Sequence, residues 1–378
     1  MAVDVWWKRT ILIRVFALVS FYSITTQAED IVSAVVLFRH GARAPTMGSS
    51  DLDVKKHFPN GLGQLTENGT AQMRELGKFF HKRYTENKLL SSPPQLDDIH
   101  IHSRANDRCL MSAALVGSEM ISPDSDTPRG MNVVPIHSME QDEDRLDHPR
   151  DCPFEREKIK KKCNRVPEAG MKWAMFEGFI YVCLGLHETS TVLKTMEEFS
   201  EVESAYTLYK NGIETPKWFR DNMERIIRDY QTVFRYNTGV NNTRIQRIKQ
   251  GKLLSSIMEK FKLDKASHEK DSKSVKKKWT AFSTQDWILM ALLFGTGGAT
   301  QAIGETIPNF ASAIMFEMYK KGADYRIKAM YRDGESGEVK PFQVRGCTGS
   351  DQSCSLHEFI TCCNKAITND PVADCKVD

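Results

Sequence analysis

With 378 residues, of which 40% are apolar and 27% charged, the chain has an ordinary globular composition, which excludes wholesale disorder and fibrous repeats. At about 150 residues per domain there is room for two domains, or for one large domain with an insertion. Lys and Arg total 52 against 49 Asp and Glu, a net of +3, so neither nucleic acid nor an anionic membrane is demanded as a partner.

In chain order, Lys8, Arg9 and Arg14 flank an apolar stretch reaching Tyr22, followed by Thr26, Gln27 and Ala28. This is the pattern of a secretory signal peptide over residues 1–28. The longest later apolar run, Trp287 to Gly295, is far short of the roughly 20 residues of a membrane span. The reading is a secreted or lumenal chain without stable membrane insertion.

Ile31 to Phe38 is a nearly continuous apolar, β-branched run, expected of a strand buried on both faces of a parallel sheet. It ends in a loop, Arg39 to Pro45. From Thr66 the spacing of Met73, Leu76, Phe80 and Tyr84 predicts a helix. Asp98 to Ser103 reads as a second strand and Asp107 to Met120 as the helix after it. Strand, helix, strand, helix is the order of an α/β sheet, where function gathers at the carboxyl ends of strands.

Residues 151–242 are charged and helical, and read as an inserted cap between two parts of an α/β domain, 29–150 and 243–378. Within them Trp218, Phe219, Met223, Ile226, Ile227, Tyr230, Val233 and Phe234 trace one helical face behind Pro216. A helix from Thr243 to Phe261 leads to Lys265–Lys278, whose six lysines, interrupted by Glu269 and Asp271, predict a solvated loop. Trp279 to Ser283 is a short strand candidate, followed by Gln285, Asp286 and an apolar helix from Trp287. Ala311–Tyr319 and Tyr325–Tyr331 suggest an antiparallel hairpin around Gly322.

In a secreted chain the nine cysteines point to disulfides before zinc. Cys347 and Cys354 are close enough to close a small loop, and Cys152 and Cys375 could tie the middle of the chain to its end; an odd count leaves at least one thiol over. Asn68 and Asn241 stand in N-x-Thr sequons, which places them as surface glycosylation candidates.

The most informative string is Arg39, His40, Gly41, Ala42, Arg43, Ala44, Pro45, directly after the first strand. It resembles the R-H-G-x-R-x-P signature of the histidine acid phosphatases, of the prostatic and lysosomal type. Five fixed positions would match by chance in about one sequence in ten thousand. The chemistry explains the combination. A phosphomonoester spreads its charge over outer oxygens, so catalysis is mostly positioning and clamping by guanidinium groups. A histidine nucleophile must be neutral at the attacking nitrogen, and neighbouring arginines help keep it so in acid. The resemblance makes His40 the phosphoryl acceptor and Arg39 and Arg43 phosphate ligands. Gly41 would let the backbone approach the oxyanion.

The similarity extends to Gly61–Thr66 with the helix through Arg83 and Tyr84, and to Asp107–Ala113, where the family's third phosphate-binding arginine falls on Arg108. It implies disulfides Cys152–Cys375 and Cys347–Cys354. A third family bridge has no cysteine here: its later position is Ala313 and its earlier one lies near Thr207 to Glu214. Cys163 and Cys183 are extra and are read as a pair inside the insert.

One position departs from the family. Where His-Asp is expected after a strand, this chain has Gln285 and Asp286. The resemblance makes Asp286 the proton donor and leaves Gln285 as a neutral donor to phosphate. A charge-assisted hydrogen bond of about 1.5–3 kcal/mol then becomes a neutral one of about 0.5–1.5, which predicts activity weakened by roughly tenfold to a hundredfold rather than abolished. His268 with Glu269 and His357 with Glu358 follow no strand end and read as surface or structural. His100 and His102 share a strand face without a third ligand, so no metal site is expected.

The resemblance implies an α/β fold with a mostly parallel central sheet flanked by helices, and a helical cap. It implies phosphate monoester hydrolysis through a phosphohistidine, with no metal and no organic cofactor. Small phosphate monoesters or phosphoproteins would be the substrates, and a homodimer is compatible with the family. Two other readings stand beside it: a secreted protein that keeps the phosphate pocket for binding alone, and a phosphatase specialised for inositol phosphates or nucleotides. Ala42 leaves that substrate preference open. Gln285→His is expected to raise turnover.

Overall fold

The structure, a computed structural model, describes residues 30–48, 53–122, 133–140, 143–144, 146, 149, 152–349 and 351–377; the leader read at 1–28 lies outside them. Strand β1 (Asp30–Arg39) is buried along all but its first residue. Its alternate side chains enter two cores, Val35 and Leu37 on one face and Ala34, Val36 and Phe38 on the other. A continuous apolar run is what a strand covered on both faces requires.

The remaining strands are β2 (Ile99–Ser103), β3 (Ile136–His137), β4 (Trp279–Thr284), β5 (Ala313–Lys321), β6 (Asp324–Arg332), β7 (Val339–Pro341) and β8 (Ser353–Ser355). They lie in the order β3-β2-β4-β1-β5-β6-β7, with β8 paired to β6. Strands β1 to β4 run parallel, and β5 onward is antiparallel. In the parallel half, Arg39 pairs with Thr284 and Ser103 with Ser283. Three carboxyl ends therefore finish level with one another, and that line positions the site.

One face of the sheet is covered by helices Glu67–Glu86 and Asp107–Ile121, through Met73, Leu76, Phe80, Tyr84 and Val116. The other is covered by Thr243–Lys270 and Asp286–Thr296, through Leu253, Ile257, Leu289 and Leu292. The chain is an α/β protein with helices on both sides of its sheet. The helices between Cys152 and Asn242 bury Tyr181, Phe199, Tyr206 and Tyr230 in the same cluster as Val35 and Leu37. Among the described residues no helix is long and apolar enough to cross a membrane.

Two expectations are corrected. Residues 265–270 are not loop: the helix runs unbroken from Thr243 to Lys270. Lys260–Asp264 and Lys265–Glu269 ion pairs, one turn apart, support its polar end, as does the bond of 2.8 Å between His268 Nδ1 and the Tyr325 hydroxyl. The face from Trp218 to Phe234 is two helices, Lys217–Asp221 and Met223–Asn237, broken at Asn222. There the Asn222 side chain bonds the Trp218 carbonyl, a local alternative to the helical ladder that periodicity does not register.

Disulfides join Cys152 to Cys375, Cys163 to Cys183 and Cys347 to Cys354. Cys109, Cys362 and Cys363 are free. Asn68 and Asn241 are both exposed.

Candidate active site

The carboxyl ends of β1, β2 and β4 deliver His40, Arg104 and Gln285 to one place, and the next helical turns add Arg108 and Asp286. These residues, with Arg43, face a cavity of about 330 Å³. Helix Asp107–Ile121 starts against it because Asn106 caps the helix by accepting from Cys109 N. A larger cavity of about 1020 Å³ opens elsewhere, past His100 and His102; there His102 bonds Asp144 and His100 stacks on His137.

His40 is 2% exposed. Its Nδ1 lies 2.8 Å from the Gly41 carbonyl, which can only accept, so Nδ1 carries the proton and Nε2 keeps its lone pair. That lone pair accepts from Arg108 Nε at 3.2 Å. Burial, then the charges of Arg108, Arg39 and Arg43, hold the imidazole pKa well below its ordinary value. The ring is thus neutral, with one nitrogen fixed and the other turned to the cationic side of the cavity. Burial, with Arg43 beside it, lowers Arg108 itself to about 10.

The arginines are held differently. Arg43 gives Nη1 to Glu203 Oε1 (2.6 Å) and to the Ala44 carbonyl (2.9 Å). Burial disfavours its charge, but Glu203 more than offsets this and its pKa is raised. Arg39 pairs through Nη2 with Asp286 Oδ2 (2.6 Å), donates Nη1 to the Pro308 carbonyl (2.6 Å) and lies on the Phe310 ring. It stands behind the cavity wall. The Nε atoms of both arginines are buried and without a hydrogen-bond partner among the described residues. Buried donors of this kind are costly unless a ligand satisfies them.

Gln285 Oε1 accepts from Arg104 Nη1 and from Trp287 Nε1, both at 2.8 Å. With the carbonyl end fixed by two donors, the amide can turn only its NH2 group to any further partner. Asp286 Oδ1 accepts from Trp287 N at 2.9 Å. Gly41 has a different reason from the one expected: a Cβ there would lie 2.3 Å from the Gly69 carbonyl oxygen. The glycine pair lets the loop cross the start of helix Glu67–Glu86. Gly41 N and Ala42 N are taken by Ser112 Oγ and Gln72 Oε1.

All six predicted polar site residues are therefore brought together, five on the cavity and Arg39 behind it. Sequence reasoning missed Arg104, Glu203 and the aromatic walls Trp173, Tyr230, Phe234 and Trp287. Arg104 carried a usable signal, since it directly follows a strand end as His40 does. Glu203 carried none, because its partner lies 160 residues away.

Comparisons with known proteins point to phosphatases. The chain is 26% identical to the lysosomal acid phosphatase of Bos taurus over 384 residues, covering 98% of this chain and 86% of that protein. It is 25% identical to the prostatic acid phosphatase of Rattus norvegicus over 365 residues, covering 92% and 90%. Its fold matches the Hafnia alvei phytase in complex with myo-inositol hexakis sulphate at a TM-score of 0.64 and 15% identity, over 93% of this chain and all of that one. Residues 30–332 match the sequence pattern of the histidine phosphatase superfamily, branch 2, and the chain belongs to that family, among the phosphoric monoester hydrolases.

Proposed function

We propose that the chain is a secreted or lumenal acid phosphatase that works through a phosphohistidine at His40. The observation that carries this is the state of that ring: Nδ1 is held by the Gly41 carbonyl, and Nε2 is unprotonated beside Arg108. In the reaction, His40 Nε2 attacks phosphorus and the ester oxygen leaves with a proton from Asp286. Water then attacks the phosphohistidine and returns that proton to Asp286, regenerating both groups. Arg43 and Arg108 clamp the phosphate, Arg39 contributes charge from behind, and Gln285 donates through its NH2. Residues 151–242 act as a cap, lending Glu203, Tyr230 and Phe234 to the wall.

The pocket also bears on substrate. Four aromatic side chains line it, while Arg43, Arg39 and Lys249 are paired with Glu203, Asp286 and Glu155. Such an aromatic lining suits a phosphate carried on an apolar or planar group. The test is hydrolysis of an aryl phosphate by the purified chain between about pH 4 and 7, with His40→Ala beside it. Turnover lost in the variant supports the reading. A folded protein that binds vanadate without turnover supports the binding-only alternative, in which Gln285 ends catalysis.

A further inference from the structure

We infer that Glu203, on helix Val202–Lys210, is a positioning residue for the phosphate clamp, acting through Arg43. This rests on the phosphatase reading above and assigns a role within the same site. The helix presents one polar face to the loop after β1. Glu203 takes Arg43 Nη1 at 2.6 Å and accepts from Thr46 N at 3.2 Å through Oε2. Ser204 Oγ bonds the Met47 carbonyl, and Asn211 donates Nδ2 to the Arg43 carbonyl at 3.1 Å. Asn211 also accepts from Thr66 Oγ1 at 2.9 Å, which ties the same helix to the N-cap of helix Glu67–Glu86.

Arg43 is thereby gripped at both ends, its backbone by Asn211 and its guanidinium by Glu203. With Nη1 committed to Glu203 and the Ala44 carbonyl, the Nε edge is the one left for a ligand, and Nε is buried and unpartnered. A guanidinium binds phosphate best through two parallel donors in a fixed plane. Glu203 fixes that plane. The Glu203 side chain is 3% exposed and that of Arg43 12%, so water competes little for the pair. A carboxylate near a phosphate site has a cost in charge, which the geometry it imposes on Arg43 offsets.

The test is a double-mutant cycle on the full chain. It measures kcat and KM with an aryl phosphate and Ki for inorganic phosphate, with the thermal midpoint as a check on folding. Glu203→Gln keeps an acceptor for Thr46 N but loses the charged hold on Arg43; Ki is expected to rise about tenfold, and kcat/KM to fall by at least as much. In an Arg43→Ala background the same change should weaken phosphate binding no further, because Glu203 acts through Arg43. Glu203→Asp keeps the charge and loses reach, and should raise Ki about threefold even where the glutamine variant does not fold. An unchanged Ki, a tighter Ki, or equal weakening in both backgrounds would overturn the inference. A wild-type chain that neither turns over the ester nor binds phosphate would instead overturn the phosphatase reading beneath it.

Discussion

Arg39 Nη2 and Asp286 Oδ2 lie 2.6 Å apart, joining the last residue of β1 to the first residue of the helix after β4. The pair links a residue of the opening motif to the candidate proton donor. It forms because β1 and β4 are parallel neighbours in register, Arg39 opposite Thr284. Asp286 is therefore oriented by an arginine that does not itself line the cavity.

If Asp286 protonates the leaving group, Asp286→Asn will show a loss that depends on that group. With an alkyl phosphate, whose alkoxide must be protonated, kcat/KM, which reports the steps up to formation of the phosphohistidine, should fall by about a hundredfold to ten-thousandfold. With a nitrophenyl phosphate the loss should be far smaller, because that oxygen departs unaided. Parallel kcat/KM measurements on the two esters decide it; equal losses would contradict protonation of the leaving group by Asp286.

Gln285→His should restore a charge-assisted donor, but Arg104 stands where Gln285 Oε1 now receives it. A guanidinium beside an imidazole lowers its pKa below about 6.5, so the new ring is charged only in acid. The gain in kcat/KM, up to about a hundredfold, should therefore be seen near pH 5 and fade toward pH 7. A pH profile of the variant against the parent checks this, and a gain that does not vary with pH would contradict it.

Glu177 is buried, with Oε1 lacking a partner among the described residues. Burial first, then the nearby charge of Glu203, push its pKa well above the ordinary carboxyl value. The folded protein thus holds this proton where the unfolded chain has lost it. Stability from Glu177 is complete below the unfolded pKa, near 4.5, and is lost as pH rises toward the folded one. Glu177→Gln should accordingly raise the thermal midpoint at pH 7 and leave it almost unchanged at pH 4. Midpoints at both pH values test the sign.

Stability should respond most sharply at Glu317, fully buried on β5. It accepts from Arg83 Nε at 2.6 Å and Nη2 at 2.9 Å, and from the Tyr319 hydroxyl. Glu317→Ala leaves the Arg83 charge half-buried without its partner, which costs about 3–5 kcal/mol. Denaturant titration measures that loss. The kcat of the folded fraction should not change, since the pair lies away from the catalytic cavity.

Much of the parallel half of the sheet was legible because its strands are local and one-signed. Ile31 to Phe38 is apolar throughout, and β4 is short but bounded by a lysine-rich segment and an apolar helix. Residues 265–270 depart from the loop reading for the converse reason. Their helix is held by charged pairs one turn apart and by Tyr325 from a distant hairpin, and neither leaves a mark on apolar periodicity.

The amino-acid sequence by itself supplied the candidate site residues: Arg39, His40 and Arg43 at the end of one strand, Arg108 after a second, and Gln285 with Asp286 after a third. Arg39, His40 and Arg43 stand out by their motif after a strand, whereas Arg108, Gln285 and Asp286 were marked by the family resemblance. Only the tertiary structure decided how the charges are shared. It set Arg39 on Asp286, Arg43 on Glu203 and Arg104 on Gln285, and it placed Gly69 against Gly41. Each is a contact between residues far apart in the chain, fixed by strand register and helix docking, and a side chain's partner across that distance is a property of packing rather than of local pattern.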